Sequence, residues 1–269
     1  MTDPQLPIGV FDSGLGGLTV MRELAKRLPH ENLIYVGDTA RVPYGTKSAE
    51  TIRRYSLQIS FFLLQRKVKM IVVACNTSSA LALRSLKNLP IPVIGVIEPG
   101  ARAAVMQTDK SRIGVIGTPA TVASHAYRDA IKRFAPETRV WETACPLFVP
   151  LVEEGWLEHP VTTRVAQQYL RPILKNRIDT LVLGCTHYPL LKTTLKAVVG
   201  RRVQLIDSAQ ETAKDVEKLL VKNRALNPTR KKGRAIYYVT DNTASFSRLS
   251  RQFLGNRTPP AQRLRLEGQ

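Results

Sequence analysis

The run "LVLGCTHYP", residues 181–189, is a β-branched apolar stretch that stops at a glycine and then presents Cys185, Thr186 and His187. A second run, "IVVACNTSS" from Ile71, stops at a small residue and shows Cys75, Asn76 and Thr77. Strands this short and this continuously apolar are those that a parallel sheet buries on both faces. Similar runs lie at residues 8–11, 33–36, 70–74, 93–97, 113–116, 139–142, 180–184, 204–206 and 235–239. Segments of helical period separate them, among them 18–28, 49–66, 78–86, 120–134, 161–174 and 209–223. Alternation of this kind predicts an α/β fold of parallel strands joined by crossover helices.

An internal echo sharpens the prediction. "IGVFDSGLGGLTV" from Ile8 is similar to "IGVIGTPATVAS" from Ile113, and "IVVACNTSSALAL" from Ile71 is similar to "LVLGCTHYPLLKTTL" from Leu181. The two matches fall in the same order, so the chain reads as two pseudo-symmetric lobes. Each would hold a mostly parallel sheet flanked by helices, with a cysteine at a strand's carboxyl end. Ligands of open parallel sheets bind outside those ends. Two facing lobes therefore place the active site in the cleft between them, with a thiol on either side.

Composition narrows the chemistry. Three cysteines in 269 residues, widely spaced and without a C-x-x-C pair, argue against a disulfide framework or a zinc site. The four histidines are scattered, so no metal is expected. No apolar run approaches the roughly 18 residues of a membrane helix, which predicts no membrane contact. "MTDPQLP" lacks a basic start and an apolar signal segment, and the expected location is the cytoplasm. The formal net charge of +19 is densest in the last third, at Lys222, Arg224, Arg230, Lys231, Lys232, Arg234, Arg248, Arg251, Arg257, Arg263 and Arg265. It reads either as a solvated basic surface or as a weak, salt-sensitive attraction to nucleic acid or another polyanion. Tyr237, Tyr238, Phe246 and Phe253 in this region have the spacing of core residues.

A cysteine is most often a small buried hydrophobe, and Cys145 in "TACPLFVP" fits that role. Cys75 and Cys185 each leave an apolar run, enter a polar turn and precede a helical segment whose amino end favours a thiolate. A lone Cys–His pair would suggest hydrolysis, but that chemistry leaves the second cysteine without a role. Proton exchange by two bases uses both: one thiolate removes a proton from carbon while the opposite thiol delivers one to the other face. The product is the mirror image, with no redox change and no cofactor.

Other residues fit around such a site. Asp12 in "VFDSG" would neighbour Cys75 if strand 8–11 lies beside strand 70–74, although an Asp there also caps helices. His187 and a carboxylate of "LVEEG" would serve Cys185. The turn "DSGLGG" offers backbone N–H groups to a small anion. Tyr44 and Gly45 of "VPYGTK" offer a hydroxyl and an amide, and Thr118 and Thr121 lie at the matching turn of the second half.

These motifs resemble the glutamate racemases of the cofactor-independent aspartate/glutamate racemase superfamily. The likeness runs from Ile8 to about Ala213 through "GVFDSGLGGLTV", "YVGDTARVPYG", "ACNTSSA", "GVIEPG", "GVIGTPAT", "CPLFVPLVEEG" and "LGCTHYPLL". It implies interconversion of L- and D-glutamate, supplying D-glutamate for peptidoglycan. Cys75 and Cys185 would be the paired acid and base, with Asp12, Glu153 and His187 as supporting groups; Glu153 rather than Glu154 is taken from its position in "PLVEEG". Substrate contacts would fall on Asp12, Ser13, Tyr44, Gly45, Asn76, Thr77, Thr118, Thr121, Thr186 and His187. The family topology also implies that the chain returns to the first lobe, giving 1–99 plus 209–269 as one lobe and 100–208 as the other. A homodimer is the further partner expectation. The basic tail is no part of the family pattern. Rival readings are racemisation of aspartate, a Cys-dependent hydrolase, and a basic nucleic-acid-binding protein.

Overall fold

The computed structural model describes residues 3–255 and 259–266, so Arg257 of the basic region lies outside the described residues. Its strands are β1 (Ile8–Asp12), β2 (Leu33–Gly37), β3 (Met70–Val73), β4 (Val93–Gly95) and β5 (Arg112–Gly117). They continue with β6 (Arg139–Ala144), β7 (Thr180–Gly184), β8 (Gln204–Asp207), β9 (Ala235–Val239) and β10 (Ala261–Arg263). One sheet has the order β10-β9-β2-β1-β3-β4 and the other β6-β5-β7-β8. Every pairing is parallel. The order β2-β1-β3-β4 thus recurs as β6-β5-β7-β8, the architectural form of the echo between the halves, and β9 and β10 extend the first sheet beyond β2.

The helices are α1 (Leu18–Arg27), α2 (Ala49–Gln65), α3 (Asn76–Leu81), α4 (Leu83–Leu86), α5 (Ile97–Gln107) and α6 (Pro119–Ala123). They are followed by α7 (Ala126–Phe134), α8 (Phe148–Glu153), α9 (Pro160–Leu174), α10 (Lys192–Val199), α11 (Ser208–Lys222) and α12 (Thr243–Leu254). Local chemistry starts several of them. Ser48, Thr118, Asp207 and Asn242 cap α2, α6, α11 and α12 by accepting backbone N–H groups of the first turn. Pro119 stands in the first turn of α6, where a missing N–H costs no hydrogen bond.

Three expected elements differ. The segment 120–134 is two helices, broken at His125, whose φ of 54° is left-handed. The segment 78–86 divides at Ala82 into α3 and α4. The run 93–97 is strand only to Gly95; a side chain at Gly95 would press on Leu83 and Ser79, and Ile97 already opens α5.

Helix α5 carries the chain from the first sheet to the second, and α11 brings it back. The expected division at residue 99 falls inside α5, and that at 208 at the start of α11. The largest apolar cluster is continuous across this junction. It joins Leu18, Met21 and Leu24 of α1, Leu181 and Leu183 of β7, Val216 and Leu220 of α11, and Phe246 and Phe253 of α12. The outer face of each sheet has its own smaller cluster. Tyr238, Phe246 and Phe253 are buried core residues, while the described basic side chains of the C-terminal third lie exposed around them.

At the amino ends of β1 and β3, far from the cysteines, Lys69 is buried with a full set of acceptors. Its Nζ donates to Glu31 Oε2 at 2.6 Å and to the carbonyls of Pro4 and Ala225 at 2.7 and 2.8 Å. Glu31 Oε1 accepts the Asn227 N–H at 2.8 Å, so one ion pair ties the N-terminal segment to the connection that leads into β9.

Candidate active site

A cavity of about 440 Å³ opens at the carboxyl ends of the strands, lined from both halves. The first half contributes Ser13, Gly14, Val42 to Thr46, Cys75, Asn76 and Thr77; the second contributes Thr118, Pro146, Val149, Pro150, Glu153, Cys185, Thr186 and His187. Both cysteines reach it by equivalent routes, Cys75 two residues beyond the end of β3 and Cys185 directly after β7. Cys145 is fully buried in the shared core and stands apart from the lining.

The surroundings of the two thiols are unlike. Cys75 caps α3: its Sγ accepts the Ser78 N–H at 3.4 Å and lies 3.5 Å from Ser13 Oγ. Burial and the Asp12 carboxylate push its thiol up to about 11, against the pull of the Ser78 and Ser13 hydrogen bonds. Asp12 itself sits one layer behind the cavity, brought beside β3 by the β1–β3 pairing. It is fully buried, accepts the Gly14 N–H at 3.0 Å, and leaves Oδ1 without a partner among the described residues. Burial raises its carboxyl above the ordinary carboxylate range, although His187 and the N–H groups of Gly17, Gly14 and Ser13 oppose the shift.

No comparable cap meets Cys185, because the chain after it forms a 3-10 turn, Tyr188–Leu191, before α10. A histidine–carboxylate pair stands there instead. His187 Nδ1 is 3.9 Å from Cys185 Sγ and His187 Nε2 is 3.0 Å from Glu153 Oε1. Burial works against the imidazolium, but hydrogen bonds to Cys185 and Glu153 and their negative charge outweigh it and push His187 up to about 10. Glu154, the neighbouring candidate, is an exposed helix-end residue. The Phe253 ring packs perpendicular to the imidazole, with 5.5 Å between centroids, so α12 supports this side of the cleft.

His187 also has a consequence for stability. Its folded pKa lies above its ordinary 6.5, so the folded state binds the extra proton and gains stability that is complete below pH 6.5 and lost as pH rises through about 10. The melting-temperature advantage of wild type over His187→Gln is expected to shrink across that window. An advantage that stays level from pH 6 to pH 10 contradicts it.

The remaining expected contacts sort by position. Ser13, Asn76, Thr77, Thr118 and Thr186 line the cavity, and Thr121 stands behind it. Thr77, Thr118 and Thr121 form a hydroxyl cluster across the cleft, with Oγ1 separations of 2.9, 3.3 and 2.9 Å. Tyr44 lines the cavity with its ring, but its hydroxyl already donates to Asp38, a buried carboxylate that also accepts Arg41 Nε and Thr240 Oγ1. The Asp38 cluster was not among the expected site residues. The sequence signal was the Asp–Thr–Ala–Arg stretch just before the tyrosine, but its partner Thr240 lies 202 positions away. Gly45 packs so closely on Thr118 that a side chain there would collide with it. Gly16 meets Thr186 and His187 in the same way, so part of the "DSGLGG" turn serves contact between the halves rather than a ligand.

Two like α/β halves enclosing one cavity, with a thiol at each matching strand end, define an enzyme site assembled by repetition of one structural unit. Over residues 8–216 the sequence matches the Asp/Glu/Hydantoin racemase family. A glutamate racemase of Syntrophus aciditrophicus is 54% identical over 98% of this chain and 98% of its own. Among solved structures, glutamate racemase isoform RacE1 from Bacillus anthracis superposes with a TM-score of 0.95 at 39% identity, covering 98% of each chain. Glutamate racemase from Francisella tularensis in complex with D-glutamate gives 0.92 at 39% identity, covering 99% of this chain and 100% of that one. The chain belongs to the Asp/Glu/hydantoin racemase family and is an isomerase.

Proposed function

We propose that this protein interconverts L- and D-glutamate by proton exchange between Cys75 and Cys185 across Cα, with no cofactor. The observation that carries the reading is the pair of thiols on opposite halves of one cavity, each with its own acid–base neighbours. Glutamate is favoured by the 54% identical relative and by the D-glutamate complex of the Francisella protein.

In one direction a thiolate takes the Cα proton and becomes a thiol, leaving an electron pair on the carbon. The opposite thiol gives its proton to the other face and becomes the thiolate. One C–H bond breaks and one forms, and no electrons leave the substrate. Afterwards the two sulfurs have exchanged protonation states, so proton exchange with water, or a turnover in reverse, resets the site. The protonated His187 offsets negative charge at the Cys185 side. The negative charge of Asp12 holds the proton on Cys75, and its own raised carboxyl pKa suits Asp12 to take up that proton when Cys75 gives it up to act as base. Ser13, Gly45, Asn76, Thr77, Thr118 and Thr186 hold the substrate's carboxylates and amine, with Thr121 bracing Thr118.

The lobes of this reading are 1–99 plus 209–269 and 100–208, and its product feeds peptidoglycan synthesis in the cytoplasm. No helix among the described residues is long and apolar enough to cross a membrane. The test is to incubate the purified protein separately with L-glutamate and L-aspartate and to follow optical rotation. Loss of rotation with glutamate alone is expected; loss with aspartate alone overturns the substrate assignment.

A further inference from the structure

Asn76 stands at the start of α3, next to Cys75, and lines the cavity. Its side-chain amide has two different ends, and which end faces a ligand decides what it can bind. The hydroxyl of Tyr127, from α7 of the other half, donates to Asn76 Oδ1 at 2.7 Å. Asn76 Nδ2 is buried and has no partner among the described residues.

The direction of that hydrogen bond follows from the groups present. Tyr127 is fully buried, and Ser208 at the head of α11 lies near its ring, since a Cβ added at Gly100 would meet both Ser208 Cβ and Tyr127. The single phenolic proton has Asn76 Oδ1 as its acceptor, and an amide oxygen can only accept. Turning the amide over would set an N–H₂ group against that proton and leave a buried donor facing a donor. The ring has little freedom to adjust. Side chains added at Gly184 and Gly100 would meet it at 3.0 and 3.4 Å, so the absence of side chains there makes its slot.

We propose that Tyr127 is a positioning residue for the racemase reaction, fixing the Asn76 amide so that its Nδ2–H₂ group is presented to a carboxylate of the substrate. This rests on the glutamate reading above. It also makes the binding amide of one half depend on a hydroxyl of the other, so correct orientation requires both halves in register. Asn76 would otherwise be free to offer either an acceptor or a donor, and an acceptor repels a carboxylate.

The experiment is a double-mutant cycle on glutamate racemisation with wild type, Tyr127→Phe, Asn76→Ala and the pair. Removing one hydrogen-bond partner of a charged ligand site predicts a KM for glutamate raised about tenfold in Tyr127→Phe, with a much smaller change in kcat. In the Asn76→Ala background the same change is expected to leave KM where it was, because the amide it orients is gone. A purely structural role instead lowers kcat or the folded fraction in both backgrounds. If Tyr127→Phe does not fold, Tyr127→Met, which also lacks the hydroxyl, carries the test: a raised KM in the wild-type background and none in Asn76→Ala. An unchanged KM in an active wild-type background, or an equal rise in both backgrounds, overturns the proposal. Inactive wild type with glutamate overturns the reading beneath it instead.

Discussion

Replacing either Cys75 or Cys185 by alanine is expected to abolish inversion of glutamate, with a loss of at least about 10²–10⁴-fold for the removal of one positioned acid or base. Each thiol supplies what the other cannot, a proton acceptor on one face and a donor on the opposite face. The two losses should therefore be similar in size, and the double variant little worse than either single one. The single variants should still differ from each other. With one base left, a variant can exchange Cα hydrogen with solvent from one face only, so Cys75→Ala and Cys185→Ala are expected to label opposite enantiomers of glutamate. Circular dichroism should be nearly unchanged, because each buried cysteine borders the cavity and its replacement by alanine removes only one sulfur atom. A Cys-dependent hydrolase makes a contrasting prediction, a covalent acyl-enzyme on one cysteine and tolerance of change at the other.

The largest expected effect on stability lies at the opposite end of the first sheet. Lys69→Ala would leave the Glu31 carboxylate buried with its countercharge gone, and breaking such a pair costs about 3–5 kcal/mol. Three segments lose their common anchor together: the N-terminal strand approach at Pro4, the Glu31 turn, and the connection through Ala225 and Asn227. Chemical denaturation should show a large fall in midpoint. Replacing Lys69 and Glu31 together by methionine and leucine should recover much of the loss, since it removes the uncompensated charge rather than exposing it. A Lys69→Ala midpoint within error of wild type contradicts this account of the clasp. The pair lies far from the cavity, so the folded fraction of the variant should keep its KM.

Nine of the ten strands among the described residues were legible in the sequence, most of them because burial on both faces forces uninterrupted apolar runs; the short, exposed β10, Ala-Gln-Arg, carries no such run. The relation between the halves was visible in the paired motifs around Asp12, Cys75, Thr118 and Cys185. Signals that depend on one residue's backbone were weaker. The left-handed His125 divides a segment whose apolar spacing reads as one helix, and nothing in its side chain announces the break. The segment after Cys185 reads, like that after Cys75, as leading straight into a helix; it is a 3-10 turn instead, with Tyr188 and Pro189 packed into the core immediately after the histidine. Least legible were contacts between distant segments. Thr240 to Asp38 and Tyr127 to Asn76 each join residues that only the closed fold brings together. A fully buried tyrosine does need a partner for its hydroxyl, and that rule was the one available clue to Tyr127.

The most direct test of two opposed bases is the first turnover of L-glutamate in D₂O, followed by mass spectrometry of the separated enantiomers. The D-glutamate formed should carry one deuterium at Cα from the earliest time point, while the unreacted L-glutamate remains unlabelled, since the proton is taken by one sulfur and the deuteron is delivered by the other. D-glutamate that retains its original hydrogen would mean that one group carries the proton between faces, and the two-thiol account would be wrong.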